Sequence, residues 1–171
     1  SSSNIYTVEV DKNGCKDRDT AVINIYALPT ADFSWIGGCQ GEPIQFMDLS
    51  ITNITDWSWD LGDGNIDSVQ NPTHIYNTQG TYGVFLQIVD INGCAGSFSS
   101  NLGVDPKFSI SIDPDTSLCA NNLSINAYGP FNAFYLWSNN VASKTNTVSA
   151  SGVYTVSVTE GNCEVDTFIQ V

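Results

Sequence analysis

The sequence predicts an all-β protein made of several small β-sandwiches. Turn-forming residues are frequent, with 14 Gly and 6 Pro among 171 residues, and this favours short strands over helices. Apolar and polar residues alternate in segments such as 5–10 and 153–158, so every second side chain there would share one face of a strand. Hydrophobic residues make up 42% of the chain, enough to fill more than one small core.

Acidic residues dominate the charge. Asp and Glu total 18 against 5 Lys and Arg, which gives a net charge of -13. Such a surface repels phosphate groups, so we expect no nucleic-acid partner. A stretch of about 18 apolar residues that could cross a membrane is absent from the sequence. The chain opens Ser1-Ser2-Ser3 without a basic and then apolar signal segment, and we expect either a removed signal or an internal fragment.

One sequence pattern occurs three times along the chain. Each copy is an alternating apolar strand, a turn rich in Asn and Gly, and a cysteine that opens the next strand, which together predict a β-hairpin. None of the 5 cysteines lies in a CxxC pair, so disulfides in an exported protein are favoured over a zinc or redox site. The three copies lie at 5–26, 81–104 and 153–171.

The second and third copies also have an upstream half. A cysteine opens it and an aromatic strand follows, with Trp59 in one copy and Trp137 in the other. Cysteine, then tryptophan, then tyrosine and cysteine is the order found in immunoglobulin-like sandwiches. We therefore predict two disulfides. By closing its loop, each would contribute about 4 kcal/mol to the free energy of unfolding on the chain-entropy estimate. The predicted pairs are Cys39 with Cys94 and Cys119 with Cys163.

Cys15 is left unpaired within this segment. It follows Tyr6 by the same interval that separates Tyr154 from Cys163, which differs from the interval in the middle copy. Residues 1–26 therefore resemble the second half of a domain, and we expect its first half, with a matching cysteine, to lie upstream. A free buried thiol is the alternative.

The middle copy and the residues upstream of it, together residues 27–104, resemble a polycystic kidney disease (PKD) domain. Its signature reads W-D-L-G-D-G, then N-P-x-H-x-Y, then G-x-Y, with only Leu61 replacing the usual Phe. This resemblance implies an extracellular immunoglobulin-like spacer or interaction module without catalysis. The motif residues are Trp59, Asp60, Gly62, Asp63, Gly64, Asn71, Pro72, His74, Tyr76, Gly80 and Tyr82.

The predicted fold is thus all-β, with tandem immunoglobulin-like and PKD β-sandwiches of which the first is partial. We expect the C-terminal half of an immunoglobulin-like domain at 1–26, a PKD domain at 27–104 and an immunoglobulin-like domain at 105–171. The connections at 27–30 and 105–107 are short and contain proline, which predicts a semi-rigid rod.

The outer repeats carry a second resemblance. The phrases Y-x-W-S-N at 135–139 and S-G-x-Y-T-V at 151–156 are similar to repeats of large surface adhesins in Bacteroidetes-type bacteria. That resemblance implies a stalk in cell adhesion or gliding motility, type IX secretion and a location at the bacterial cell surface. Neighbouring repeats of the same chain, and surface glycans or proteins, are the implied partners.

No catalytic or cofactor-binding residue is predicted. Asp60 and Asp63 suit turn capping better than acid–base chemistry, and His74 belongs to the PKD pattern. A weak calcium site is left open at Asp90 and Asn53, or at the joint acids. An accessory spacer or carbohydrate-binding region of a secreted hydrolase is the alternative function, with Trp35 as the candidate contact. The joint acids are Asp32, Asp105, Asp113 and Asp115.

Overall fold

The computed structural model describes residues 2–115 and 122–171, and every regular element among them is a β-strand. The predicted all-β class is therefore confirmed. No helix in these two ranges has the length and apolar character needed to span a membrane. The strands are β1 (Ser2–Lys12), β2 (Cys15–Ile25), β3 (Phe33–Ile36), β4 (Pro43–Asp48), β5 (Ile54–Asp60), β6 (Ile66–Asp67), β7 (Thr73–Ile75), β8 (Gly80–Asp90), β9 (Ala95–Val104), β10 (Ser111–Ile112), β11 (Leu123–Tyr128), β12 (Phe134–Trp137), β13 (Thr145–Val148), β14 (Val153–Glu160) and β15 (Cys163–Gln170).

These strands form five sheets. β1 and β2 make a two-stranded sheet alone, and β6–β5–β8–β9 form a four-stranded one. Three-stranded sheets have the orders β3–β4–β7, β10–β11–β13 and β12–β14–β15. The alternation of apolar and polar residues explains why each strand can turn one face inward.

The chain divides into two compact units. The first contains residues 1–34, 47–70 and 84–100, and the second contains 35–46, 71–83 and 101–171. The predicted domain boundaries at 26 and 104 stay predictions.

In the first unit, the N-terminal hairpin is present as predicted. β1 and β2 pair without a break from Ser2↔Ile25 to Lys12↔Cys15. Asn13 and Gly14 connect them with φ of 57° and 86°, the positive values that a two-residue hairpin turn requires.

Aromatic packing surrounds Trp59 in the same unit. Trp59 is fully buried, and the ring of Phe33 meets it edge-on with 5.2 Å between centroids. Phe98 also packs edge-on against Phe33, with 5.3 Å between ring centroids. The indole N–H of Trp59 donates to the carbonyl oxygen of Val69 at 3.0 Å, so its one polar atom is satisfied.

In the second unit, the C-terminal repeat has its own core around Trp137. The indole N–H of Trp137 donates to the carbonyl oxygen of Ser143 at 2.8 Å. Burying each large apolar side chain there contributes roughly 1.5–3 kcal/mol relative to leaving it exposed. The buried members are Ile125, Ala127, Tyr135, Trp137, Val148, Val156, Val158, Ile169 and Val171.

Candidate functional site: a disulfide-linked joint

The Asp60–Gly64 loop of the PKD motif is a structural turn. Asp60 Oδ1 accepts the backbone N–H of Gly62 at 2.9 Å, and Asp63 Oδ1 accepts the N–H of Asn65 at 3.1 Å. Gly62 and Gly64 have φ of 80° and 93°, which other residues adopt only with strain. Each of the two carboxylates therefore serves the backbone of its own turn.

The second motif block, 71–76, lines the edge of β4. Pro72 is buried, and its carbonyl oxygen accepts the N–H of Phe46 at 2.9 Å. The carbonyl oxygen of Asn71 accepts the Gln45 side-chain amide at 3.1 Å. The half-buried His74 packs its ring edge-on against the buried Tyr76, with 4.6 Å between centroids. These contacts give His74 a packing role.

The third block contains a tyrosine that ties its strand to the preceding loop. β8 begins at Gly80, and the hydroxyl of Tyr82 donates to the carbonyl oxygen of Thr78 at 2.7 Å. Tyr154 repeats this contact in the C-terminal repeat, where it donates to the carbonyl oxygen of Ala150 at 2.9 Å. A tyrosine bonded to backbone a few residues upstream is typical of immunoglobulin-like sandwiches.

Asp90, a candidate calcium ligand, closes the β8–β9 turn. Its Oδ1 accepts the backbone N–H groups of Cys94 at 2.8 Å and of Asn92 at 2.9 Å. The hydrogen bond from Cys94 holds the pKa of Asp90 below its ordinary range; burial opposes this, and Asn92 adds to it. Asn53, the other candidate, lies with Asp90 along an open cavity, and its carbonyl oxygen accepts the N–H of Ile91 at 3.0 Å.

The predicted joint acids each accept a hydrogen bond from a backbone N–H group. Asp32 Oδ1 accepts the N–H of Phe33 at 2.8 Å, and Asp115 Oδ1 accepts the N–H of Gln170 at 2.9 Å. Asp113 Oδ2 accepts the N–H of Asn126 at 2.7 Å, and this bond holds the pKa of Asp113 below its ordinary range. Among residues 2–115 and 122–171, no three His, Cys, Asp or Glu side chains form a cluster suited to a metal ion.

The predicted disulfide pairing is wrong. Cys39 is bonded to Cys163, with an S–S distance of 2.03 Å, across a sequence separation of 124 residues. Cys94 is a half-buried free thiol and Cys15 an exposed one, whereas Cys119 lies outside the described residues. The bond therefore joins the PKD-like segment to the C-terminal repeat, where a closed loop within each domain was expected.

The physical reason for this pairing is the linker residue Asp105. Its backbone N–H donates to the carbonyl oxygen of Gly38 at 2.7 Å, and its carbonyl oxygen accepts the N–H of Gln40 at 2.9 Å. Cys39 and Asp105 thereby form a parallel β-bridge. The linker thus holds the Cys39 segment from one side.

The Asp105 side chain holds the other side of the joint. Its Oδ2 accepts both the backbone N–H and the side-chain amide of Asn162, each at 2.8 Å. Asn162 directly precedes Cys163 in the β14–β15 turn, so the same linker residue brings the two cysteines together. Both bonded cysteines are buried, since Cys39 is 8% exposed and Cys163 is 0% exposed.

Two glycines permit this close approach. A Cβ at Gly38 would lie 2.9 Å from the Asn162 side chain, and one at Gly161 would collide with the Asp105 carboxylate. Their φ values of 150° and 59° are also ones that side-chain-bearing residues rarely adopt. An ion pair between Lys107 and Glu42 lies at the exposed rim. All of these residues belong to the second compact unit.

Sequence reasoning missed Asp105 as an organiser of the joint. A signal was present in the turns: the β8–β9 turn carries its own acceptor, Asp90, whereas Glu160 occupies the end of β14. The backbone N–H groups of a tight turn without a nearby Asp are left to bond to water or to an acceptor from another part of the chain.

The fold defines this chain as an all-β assembly of the immunoglobulin-like sandwich class. Comparison with known families is more specific, because residues 29–104 match the model of the PKD domain. The predicted PKD resemblance of the middle segment is confirmed. PKD domains are non-catalytic accessory domains.

Known proteins similar to this chain come from several bacteria. Collagenase ColA of Bacillus cereus is 29% identical over 114 residues, which is 63% of this chain and 11% of the collagenase. The chain thus spans about a tenth of that protein. The PKD1 domain of the Vibrio cholerae metalloprotease PrtV is 27% identical and matches 46% of this chain and 99% of that domain, with a TM-score of 0.43. The PKD1 domain of Vibrio anguillarum Epp is 23% identical, with coverage of 47% and 98% and a TM-score of 0.44.

Proposed function

We propose that this chain is a non-catalytic, disulfide-stabilised spacer of an extracellular bacterial protein, in which the joint at Asp105 fixes one domain against the next. The bond between Cys39 and Cys163 is the observation that carries this proposal. Such a bond resists bending at the linker, and it persists only in an oxidising compartment. A semi-rigid stalk that holds another part of the protein at a distance needs both properties.

The joint is built to limit motion. A covalent bond, a parallel bridge and the two hydrogen bonds to Asn162 all converge on the short segment 105–107. A linker without such contacts would let the domains reorient. Here any reorientation must break the disulfide and several hydrogen bonds together, so the linker is stiff.

Dynamics measurements test the proposal directly. We expect ¹⁵N relaxation to give one rotational correlation time for residues 35–46 and 122–171 in the oxidised protein. Replacing both Cys39 and Cys163 by Ser should raise the backbone mobility of residues 35–46 relative to that of residues 122–171. Cys15→Ser, which removes an exposed free thiol, serves as the matched control and should change nothing. Independent tumbling in the oxidised protein would refute the spacer function.

The parent protein has two candidate identities. The similarity to Collagenase ColA favours an accessory region of a secreted hydrolase, which would space a catalytic domain or hold its substrate. The resemblance of the outer repeats to surface adhesins supports a stalk in adhesion or gliding motility with type IX secretion. In both settings neighbouring repeats are the direct partners, and surface glycans are further candidates.

Binding assays separate these settings. As an accessory region, the purified chain should co-sediment with insoluble collagen or polysaccharide, and Trp35→Ala should abolish this binding while preserving the fold. As a stalk, the chain should bind neither. Cleavage of peptide or polysaccharide by the purified chain would contradict the non-catalytic role in both cases.

A further inference from the structure

The bond between Cys39 and Cys163 closes a covalent loop around most of the chain. The loop contains residues 40–162, and with them the strands β4 to β14. Both core tryptophans, Trp59 and Trp137, lie inside it. The strands β1, β2 and β3 lie outside the loop on one side, and β15 lies outside it on the other. The shortest covalent route along the chain therefore passes through the two sulfur atoms.

A pulling force follows this covalent route. When the two ends of the chain are pulled apart, tension runs along residues 1–39, crosses the S–S bond and continues along residues 163–171. The hydrogen bonds beside the disulfide are far weaker than a covalent bond. Residues 40–162 are therefore shielded from most of the tension, and we call them the shielded segment.

The strand β15 is well suited to lie on this route. The route enters it at Cys163 and leaves it after Gln170. A strand rises about 3.3 Å per residue, and a fully stretched chain reaches at most about 3.6 Å per residue, so β15 has almost no length left to give. Its hydrogen bonds with β14 are perpendicular to the strand. Tension along β15 thus loads all of these bonds together and does not open them one after another.

The end of β15 where tension enters is also held in place. The backbone N–H and carbonyl oxygen of Val171 both bond to the backbone of Gly152, each at 2.9 Å. Val171 and Ile169 belong to the buried core of the C-terminal repeat. These contacts keep β15 in its sheet while the strand carries load.

The disulfide on the route is protected from reduction. Cys39 is 8% exposed and Cys163 is 0% exposed. Thiol–disulfide exchange requires a thiolate to reach one of the two sulfur atoms. The fold around the joint limits this access, so the bond persists as long as the joint is closed.

Asp105 lies beside the disulfide and in parallel with it. Its carboxylate accepts the N–H of Asn162, the residue before one bonded cysteine. Its backbone bonds to Gly38 and Gln40, which flank the other. With the disulfide intact, these hydrogen bonds carry little of the load. Without it, a force that separates the two cysteines acts on them directly.

We propose that the bond between Cys39 and Cys163 is a mechanical bypass, which keeps the shielded segment folded when the chain is pulled at its two ends. The inference rests on the spacer function proposed above, because a spacer that holds another part of the protein at a distance is loaded at both ends. It adds that most of the PKD domain and most of the C-terminal repeat are spared this load.

The size of the loop sets the size of the expected effect. The two cysteines are 124 positions apart, and a stretched chain spans about 3.3–3.6 Å per position. The shielded segment therefore holds roughly 400 Å of chain length that cannot be released while the bond is intact.

Single-molecule force spectroscopy on the full chain, with a handle at each end, tests the bypass. The oxidised chain should reach a contour length about 400 Å shorter than the variant in which Cys39 and Cys163 are both Ser. The hairpin β1–β2 lies outside the loop and contributes equally to both. Cys94→Ser, which removes a free thiol inside the loop, is the matched control and should leave the contour length unchanged. Equal contour lengths for the oxidised chain and the double variant would overturn the proposal.

A second measurement asks whether the shielded segment stays folded under load. The oxidised chain is held at the force at which the double variant opens within seconds, and dithiothreitol is then added. We expect reduction to be followed by separate opening steps, because the sandwiches are still folded when the bond breaks. Release of the whole segment in one step at the moment of reduction would show that it had already unfolded, and would contradict the bypass.

Asp105→Ala tests which bond carries the load. In the double variant this change should lower the force at which residues 40–162 open, whereas in the oxidised chain it should leave the force trace unchanged. A lower force in both proteins would show that the hydrogen bonds of Asp105 carry load beside the disulfide, against the proposal. None of these results alters the stiffness of the joint that ¹⁵N relaxation measures, so a failed bypass and a failed spacer function are distinguishable.

Discussion

The hairpins β8–β9 and β14–β15 have the same sequence pattern but different partners. In β8–β9 the turn is closed from within, because Asp90 accepts the N–H groups of Asn92 and Cys94. In β14–β15 the acceptor comes from the linker, because Asp105 accepts the N–H of Asn162. The β8–β9 turn, whose acceptor lies in the same hairpin, is followed by Cys94, which is a free thiol. The β14–β15 turn, whose acceptor lies in the linker, is followed by Cys163, which is bonded to Cys39.

The source of the acceptor therefore differs between the two turns, since it lies in the same hairpin for β8–β9 and in the linker for β14–β15. The backbone donors of a turn must be satisfied in both cases. Supplying the acceptor from 57 residues away converts a local requirement into a long-range contact within the second compact unit.

Removing the disulfide should give the largest effect. Replacing Cys39 and Cys163 together by Ser should lower the free energy of unfolding by about 2–5 kcal/mol, because the closed loop is long. Cys94→Ser should cost under about 1 kcal/mol, since it removes only a half-buried thiol. Urea unfolding without reductant measures both. Equal losses would mean that Cys94 has a structural role that its free thiol does not show.

Removing the linker carboxylate should have the next largest effect. Asp105→Ala deletes the acceptor of both Asn162 donors and should cost about 1–3 kcal/mol. Amide exchange should accelerate at Asn162 and stay unchanged at Cys94. Asp90→Ala is the converse variant and should accelerate exchange at Cys94 only. Acceleration at both amides in either variant would show that the two turns are coupled and not independent.

Acid should destabilise the chain through carboxylates that accept hydrogen bonds. The pKa values of Asp90 and Asp113 lie below their ordinary range because backbone N–H groups bond to the ionised forms. Burial raises the pKa of Asp48, but hydrogen bonds from Ser50, Trp57 and Gln70 outweigh it and the net pKa is lowered. A lowered folded-state pKa stabilises the fold above the unfolded-state pKa, and this contribution is lost as the pH falls through the folded-state value.

The melting temperature should therefore be constant from neutral pH to about pH 5 and fall below about pH 4, where free Asp begins to protonate. Asp113→Asn should give a shallower fall, because one of the responsible groups no longer titrates. A melting temperature that rises on acidification would contradict these assignments, and would point instead to relief of repulsion among the acidic residues as the larger effect.

The rim ion pair should have the smallest effect. Lys107 and Glu42 are both about half exposed, with side-chain exposures of 54% and 51%. Glu42→Gln should change stability by about 0–1 kcal/mol, and less in high salt. Thermal melts at two salt concentrations measure this. A loss as large as that of Asp105→Ala would show that the rim holds the joint together.

The sequence was sufficient to predict local structure. Alternation at Tyr154, Val156 and Val158 predicted a half-buried strand, and Asn13-Gly14 predicted a tight hairpin turn. Both features depend on residues a few positions apart, and both are present. The PKD signature around Trp59 was equally local, since its turns and its aromatic residue are held by near neighbours.

Pairing between distant residues could not be predicted in the same way. The order of cysteine, tryptophan, tyrosine and cysteine within one repeat made Cys94 the expected partner of Cys39. The bond to Cys163 depends on where the linker runs, and only the contacts of Asp105 with Gly38 and Asn162 reveal that. A repeat pattern predicts equivalent folds, but it does not determine whether their cysteines bond within a repeat or between repeats.

Peptide mapping of the unreduced protein by mass spectrometry tests the central claim most directly. Digestion should yield a cross-linked pair of peptides containing Cys39 and Cys163, with Cys94 recovered as a free thiol. Recovery of Cys39 linked to Cys94, or of Cys119 linked to Cys163, would show that each repeat closes on itself and would contradict the disulfide-linked joint.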